Sequence, residues 1–432
     1  MRSLPLILLL ACLTGLLLSQ ELDFSRAAEL GRIGGCARPM AVRKTDNHTL
    51  IELTAAFASD TEERAFWDIP MRLDLSQSSG LHLRIYGMNT ACAKEAQIFL
   101  KVDGAWYRSQ LNLARNNEWA DCFISKSAFT PDGAPSSWKH VELLRICLWR
   151  GMPGTLSLFL QKLAFIRPNV SIALIHGNRG DKQRRILSGN YAAALAHALS
   201  LQGIHPAIIE EQDVSQMTIR PYSMILLPFP EALPPPLLNT LVTYLKEGGR
   251  MGLFHCVPQP LAEQMQLPAG TYRRIEQPSI EGILPVQRLL PGSNPFIQRS
   301  HAIVTLERIP EHLQVAAWWM TADAKPTRFP AILFCNSGFW MTQAYLNQAP
   351  YNGGALLRDA MIPQIPDLRR IAAWTCIRRQ DEALPFIMLN RPDPTQQKAR
   401  SLQKDSYAAY NRKEYALAIT CAQEAMRILS IP

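Results

Sequence analysis

"YSMILLPFPEALPPPLLNTLVTYLKEGGRMGLF", residues 222–254, decides the fold of its half of the chain. From Met224 it has an unbroken apolar run, as a strand covered on both faces requires. Three prolines follow at the start of a helix, where a missing N–H leaves no bond unmade. Leu237, Leu238, Leu241, Val242 and Leu245 fall on one stripe at helical spacing. Gly248 and Gly249 end the helix, and a second apolar strand follows. A buried strand, a helix and another buried strand imply parallel pairing with a right-handed crossover.

Upstream, "VSIALIHG" (170–177) is a further apolar strand, and "YAAALAHALSLQG" (191–203) is a helix stopping at Gly203. "HPAIIEE" (205–211) is a strand again. The order strand, helix, strand, strand, helix, strand defines an α/β domain over 168–390.

The words from 222 to 254 resemble the class I glutamine amidotransferase-like fold, a flavodoxin-like α/β arrangement. The resemblance is closer to its non-enzymatic branch, the trimerisation-type domains of β-galactosidases. The resemblance implies that "FPAILFCNSGFWMTQAYLN" (329–347) is the hairpin near the end of the domain, with Gly338 in its tight turn. It also implies that "LLRDAMIPQI" (356–365) is the closing helix.

In the enzymatic branch a cysteine nucleophile sits on a strand-to-helix elbow, and "MGLFHCVPQP" (251–260) puts Cys256 at that address. Phe254 and Pro258 stand where small residues are needed. His301 and His312 are the only later histidines, and neither begins an H-x-E or H-x-D word. A cysteine without a base is a poor nucleophile near neutral pH, so the position is expected to be vacant. His255 reads as a satisfied core or loop histidine, since no second ligand stands at metal spacing. "HGNRGD" (176–181) lacks both phosphate-loop patterns and reads as an ordinary loop. Glu210 and Glu211 read as a solvated strand end, because neighbours on a strand point to opposite faces. No cofactor and no metal are expected.

Residues 29–167 change period. "HTLIELTAAF", "MRLDL", "LHLRIYGM", "AQIFLKVD", "AWYRSQLNL", "WADCFI", "WKHVELLRICLW" and "LSLFLQKLAFI" are short strands between turn residues. That spacing predicts an antiparallel sandwich. "RAFWDIPMRLDLSQSSGLHLRIYG", "AWYRSQLNLARNNEWADCFIS" and "DGAPSSWKHVELLRICLWRGMPGTLSLFLQKLAFI" resemble the jelly-roll, carbohydrate-binding-like modules of bacterial glycosidases. The resemblance implies the fold and, beyond it, sugar binding. Sugar C–H faces pack on aromatic rings, so Trp106, Tyr107 and Trp119 are the ligand-binding candidates. Trp138 and Trp149 flank apolar strands and read as packing. There is no calcium-loop pattern.

"MRSLPLILLLACLTGLLL" (1–18) reads as an export leader ending near residue 20, with cleavage near Ser19 or Ala27. An uncleaved membrane anchor is the alternative. Export permits disulfides, and Cys92 with Cys122 is the first pair to test. The net charge of +9 comes without a basic block long enough for nucleic acid. The tail, 391–432, reads as the linker "RPDPT" and a tetratricopeptide-like helical hairpin, with Ala418, Ala422 and Ala425 at close-packing spacing. One such hairpin must dock on a body to bury its face.

The fold class expected is therefore multidomain: an all-β jelly-roll sandwich, an α/β domain and a C-terminal helical hairpin. This order of parts resembles that of secreted bacterial proteins similar to glycosyl hydrolases of a family-10-like group. The resemblance implies a catalytic barrel after the hairpin, and the sequence reads to Pro432 without one. The expected function is an exported, non-catalytic accessory protein. Its partners would be a polysaccharide or oligosaccharide, a glycosidase, or a second copy of itself. The alternatives are the front of a glycoside hydrolase and a hydrolase using the α/β cleft.

Overall fold

The computed structural model describes residues 19–44, 49–57, 63–113, 116–177, 181–231, 233–274, 280–299, 302–387 and 393–428. Residues 1–18 of the expected leader, residues 178–180 of the "HGNRGD" loop, His301 and the first residues of the tail linker lie outside them. The chain forms two compact units, Met1–Asn169 and Val170–Pro432.

The first unit runs β1 (Ser19–Glu21), α1 (Phe24–Leu30), β2 (Arg32–Gly35), β3 (Ala41–Lys44), β4 (Thr49–Phe57) and β5 (Arg64–Leu73). It continues through β6 (Gly80–Met88), β7 (Ala93–Val102), β8 (Ala105–Gln110), β9 (Trp119–Ser125), β10 (Thr130–Asp132), β11 (Val141–Arg150) and β12 (Gly154–Ile166). One antiparallel sheet has the order β3-β4-β12-β6-β9, with β1 added to β12; the other is β10-β8-β7-β11-β5-β2. Alternate residues explain the sandwich. Ile51, Leu53, Leu83, Ile85, Leu156 and Leu158 of the first sheet are fully buried, as are Trp67, Ile98, Leu144 and Ile146 of the second. Each contributes about 1.5–3 kcal/mol of burial. The residues between them face outward. The stretch 19–28, left outside the expected sandwich, supplies β1 and most of α1, and Phe24 and Ala27 lie in the core.

The second unit runs β13 (Ile172–His176), α2 (Lys182–Ser200), β14 (Ala207–Glu210), α3 (Gln216–Ile219), β15 (Met224–Leu227), α4 (Pro235–Lys246), β16 (Met251–Phe254) and α5 (Gln259–Gln264). Then come β17 (Thr271–Arg274), β18 (Gly282–Pro285), β19 (Phe296–Ile297), β20 (Ala302–Thr305), β21 (Gln314–Met320), β22 (Pro326–Cys335) and β23 (Gly338–Met341). Helices α6 (Pro350–Met361), α7 (Leu368–Ile387), α8 (Asp393–Asn411) and α9 (Tyr415–Ile428) close the chain. Among the described residues the main sheet is β14-β13-β15-β16-β23-β22-β21-β18-β19. The first five strands are parallel, and β22, β21, β18 and β19 extend the sheet antiparallel. The start, second strand outside the first, is flavodoxin-like.

The turn between β22 and β23 is Asn336–Ser337, and Gly338 opens β23. Gly338 has φ +136, and a Cβ there would lie 1.9 Å from the Met251 carbonyl oxygen. The glycine therefore admits β23 against β16 rather than making the turn itself.

The tail hairpin docks on α7, an element the sequence reading left unassigned. Ala372, Ala373, Cys376 and Ile377 of α7 pack with Ala409, Ala418, Ile419 and Ala422. The alanines allow the helix axes to approach closely.

Candidate functional site

The outer face of the β3-β4-β12-β6-β9 sheet carries an open aromatic row. On β6 the alternation that buries Leu81, Leu83 and Ile85 leaves His82, Arg84 and Tyr86 outside. Tyr86 stands opposite Trp119 of β9 on one side and Phe159 of β12 on the other. The ring centroids are 5.4 Å apart for Tyr86–Trp119 and 6.1 Å for Tyr86–Phe159, at tilts of 48° and 59°. Trp119 is 37% exposed.

Polar groups line the same face. Asp121, opposite Arg84, pairs with Arg84 Nη1 at 3.3 Å and with His82 Nε2 at 3.2 Å. Glu52, opposite Phe159, pairs with Arg43 Nε at 2.7 Å and accepts from Thr54 Oγ1 at 3.2 Å. The Arg84–Asp121 and Arg43–Glu52 ion pairs are open enough to contribute only about 0.2–1 kcal/mol each, so they do little for stability. They do hold donors and acceptors beside the rings. The Arg84 guanidinium lies 5.7 Å from the Trp119 ring, near the outer limit of a cation–π contact.

The opposite face places Trp106 differently. The Arg145 guanidinium sits 4.7 Å from the Trp106 ring and 4.3 Å from that of Phe66. It also donates to both oxygens of Asp68, at 2.6 and 2.8 Å, and those bonds raise its pKa. One face of Trp106 is thus already taken. Tyr107 needs a correction as a ligand candidate: it is buried and stacks on Trp138 at 4.1 Å. It is an inward residue of β8, and its neighbour Trp106 the outward one. The structure therefore does not bring Trp106, Tyr107 and Trp119 together. The sequence reading missed Tyr86, Phe159, Arg84 and Asp121, although the polar–apolar alternation of "LHLRIYGM" marked 84 and 86 as outward.

In the second unit Cys256 follows β16, as expected from the sequence. It is half-buried, and burial together with Glu231 pushes its thiol pKa up, the opposite of an activated nucleophile. The left-handed backbone of an elbow falls one residue earlier, at His255, with φ +62. The expected satisfied histidine also needs correcting: His255 Nδ1 is buried without a hydrogen-bond partner. Glu211, read as solvated, is buried and paired with Arg184 at 2.8 Å. It begins a 3₁₀ turn, where strand alternation no longer applies. Asp181 caps α2 by accepting from the Arg184 backbone N–H at 2.8 Å. The proposed Cys92–Cys122 bridge is absent. Both thiols are free, with Cys92 directed at the Pro153 carbonyl and Cys122 at that of Asn112. Among the described residues no group of three His, Cys, Asp or Glu could hold a metal.

No protein-family model matches the chain, and no curated protein matches it. Solved structures resemble parts of it. A family 11 carbohydrate-binding module from Clostridium thermocellum, solved with a β-1,3-1,4-mixed-linked tetrasaccharide, is 12% identical over 34% of this chain and 95% of its own, with a TM-score of 0.27. A ThuA-like protein from Bacteroides uniformis is 12% identical over 46% of this chain and 92% of its own, with a TM-score of 0.36. The cold-adapted β-galactosidase from Rahnella sp. R3 is 14% identical over 46% of this chain, with a TM-score of 0.33; the match spans 32% of that enzyme.

Proposed function

We propose that the chain is an exported accessory protein that binds glycan on the outer face of the β3-β4-β12-β6-β9 sheet. The observation that carries this reading is the open row Phe159–Tyr86–Trp119 flanked by Arg84, His82, Asp121 and Glu52. Aromatic planes stack on the C–H faces of sugar rings, while charged and amide groups satisfy hydroxyls at the edges. A face about three strands wide, at 4.7–4.9 Å per strand, accommodates roughly two sugar rings across it. The arrangement supplies binding only, and the chemistry belongs to a partner glycosidase. Leader cleavage near Ser19 is part of this reading; its support is that cleavage near Ala27 would remove the buried Phe24.

A glycan array, followed by pull-down on insoluble polysaccharides, tests this. The expected result is retention by at least one polysaccharide, lost in Tyr86→Ala. A folded protein that binds none would contradict the proposal.

A further inference from the structure

We infer that the second unit carries a saccharide site of its own at the carboxyl ends of β15 and β16, walled by Tyr191, Phe229 and Tyr272 and read by His255 and Glu231. Rings from four separate elements meet there. Tyr191 of α2 lies 5.6 Å from Phe229, just after β15. Phe229 lies 6.5 Å from the His255 ring, just after β16, at 18°. The edge of Tyr272, on β17, meets that ring at 5.3 Å and 83°. Open α/β sheets bind ligands at the carboxyl ends of their strands, beside the point where strand order reverses. Here β13 lies between β14 and β15, so the reversal adjoins the cluster.

His255 is held in place at a cost. Its φ of +62 is strained for a side chain of that size, and such strain persists where surrounding structure fixes it. Its backbone N–H donates to Met341 O at 2.9 Å, and its carbonyl accepts from Trp340 Nε1 at 2.8 Å. Nδ1 is buried and unpartnered, and Nε2 has no hydrogen-bond partner among the described residues. An orphaned acceptor costs less than an orphaned donor, so the proton belongs on Nε2. Burial lowers the ring's pKa, against the opposing pull of Glu231.

The ligand must then accept from an imidazole N–H, present flat apolar faces to the rings, and donate to a carboxylate. Glu231 is close enough to act on His255, Cys256 and Tyr191. A neutral sugar ring meets all three demands. A quaternary ammonium would suit the aromatic walls and Glu231, but it leaves the Nε2 proton without an acceptor. An anion would be repelled by Glu231.

Saturation-transfer NMR on the full chain carrying Trp119→Ala, which silences the sandwich face, separates this site from the first. The probes are the methyl glycosides of glucose, galactose, mannose and N-acetylglucosamine, with choline alongside. The expected result is transfer to at least one glycoside. It should fall at least fivefold in Tyr272→Ala, a residue 58% exposed, and in His255→Gly, which keeps the left-handed backbone without strain. Transfer to none of the glycosides, transfer unchanged by both substitutions, or transfer to choline alone would overturn the inference.

Discussion

Trp119 and Tyr107 were equivalent from their local words, yet one is on the surface and the other is core. Tyr107→Ala removes a ring stacked on Trp138 and should cost about 3–5 kcal/mol in urea denaturation. Trp119→Ala should change stability by about 0.5 kcal/mol or less. It should weaken glycan binding by about a hundredfold or more, which corresponds to ~2.8 kcal/mol by titration calorimetry. Histidine supplies a second test at this scale. Burial depresses the pKa values of His197 and His255 below their ordinary 6.5. In the window between the two values the unfolded chain binds more protons than the folded one. The stability from these groups is therefore complete above pH 6.5 and lost as pH falls below it. The melting temperature should drop between pH 7 and pH 5, and His255→Gly should flatten that slope. Cys122 shows how burial silences a thiol, whose pKa rises to about 11. Peptide mapping of the denatured, unreduced chain should find both Cys92 and Cys122 as alkylated free thiols.

Elements with a strong period were legible in the sequence. The strands of "HTLIELTAAF" and "LSLFLQKLAFI" and the helix opening within "PPP" fall where alternation and capping put them, because burial on one face dictates the pattern. Helix α7 was not read, since its apolar face of Leu368, Ala372, Ala373, Cys376 and Ile377 is built mainly from small residues. Small residues signal close packing weakly until the partner helices are known. The aromatic row escaped for another reason: Tyr86, Trp119 and Phe159 come together only through strand register, which no local word encodes. Gly338→Ala tests the sheet itself. With φ +136 and a Cβ 1.9 Å from the Met251 carbonyl, the substitution should cost roughly 3 kcal/mol or more, seen as a lowered denaturation midpoint. Ala422→Leu should cost about 1–3 kcal/mol by overpacking the α7–α9 seam, and hydrogen exchange should show α8 and α9 opening first.

Across the whole molecule, two units with separate cores each end in an aromatic cluster beside carboxylates. In the first unit the cluster lies on the sheet face of an antiparallel sandwich; in the second it lies at the strand ends of an α/β sheet. Both arise from the rule that a buried face leaves the alternate residues, or the strand ends, free for recognition. The binding face of the sandwich is the claim on which the functional account rests. Affinity electrophoresis in the polysaccharide retained best tests it most directly, comparing the unaltered chain with Trp119→Ala and Trp106→Ala. The account predicts that Trp119→Ala runs without retardation while Trp106→Ala is held like the unaltered chain. Retardation lost in Trp106→Ala and kept in Trp119→Ala would contradict it.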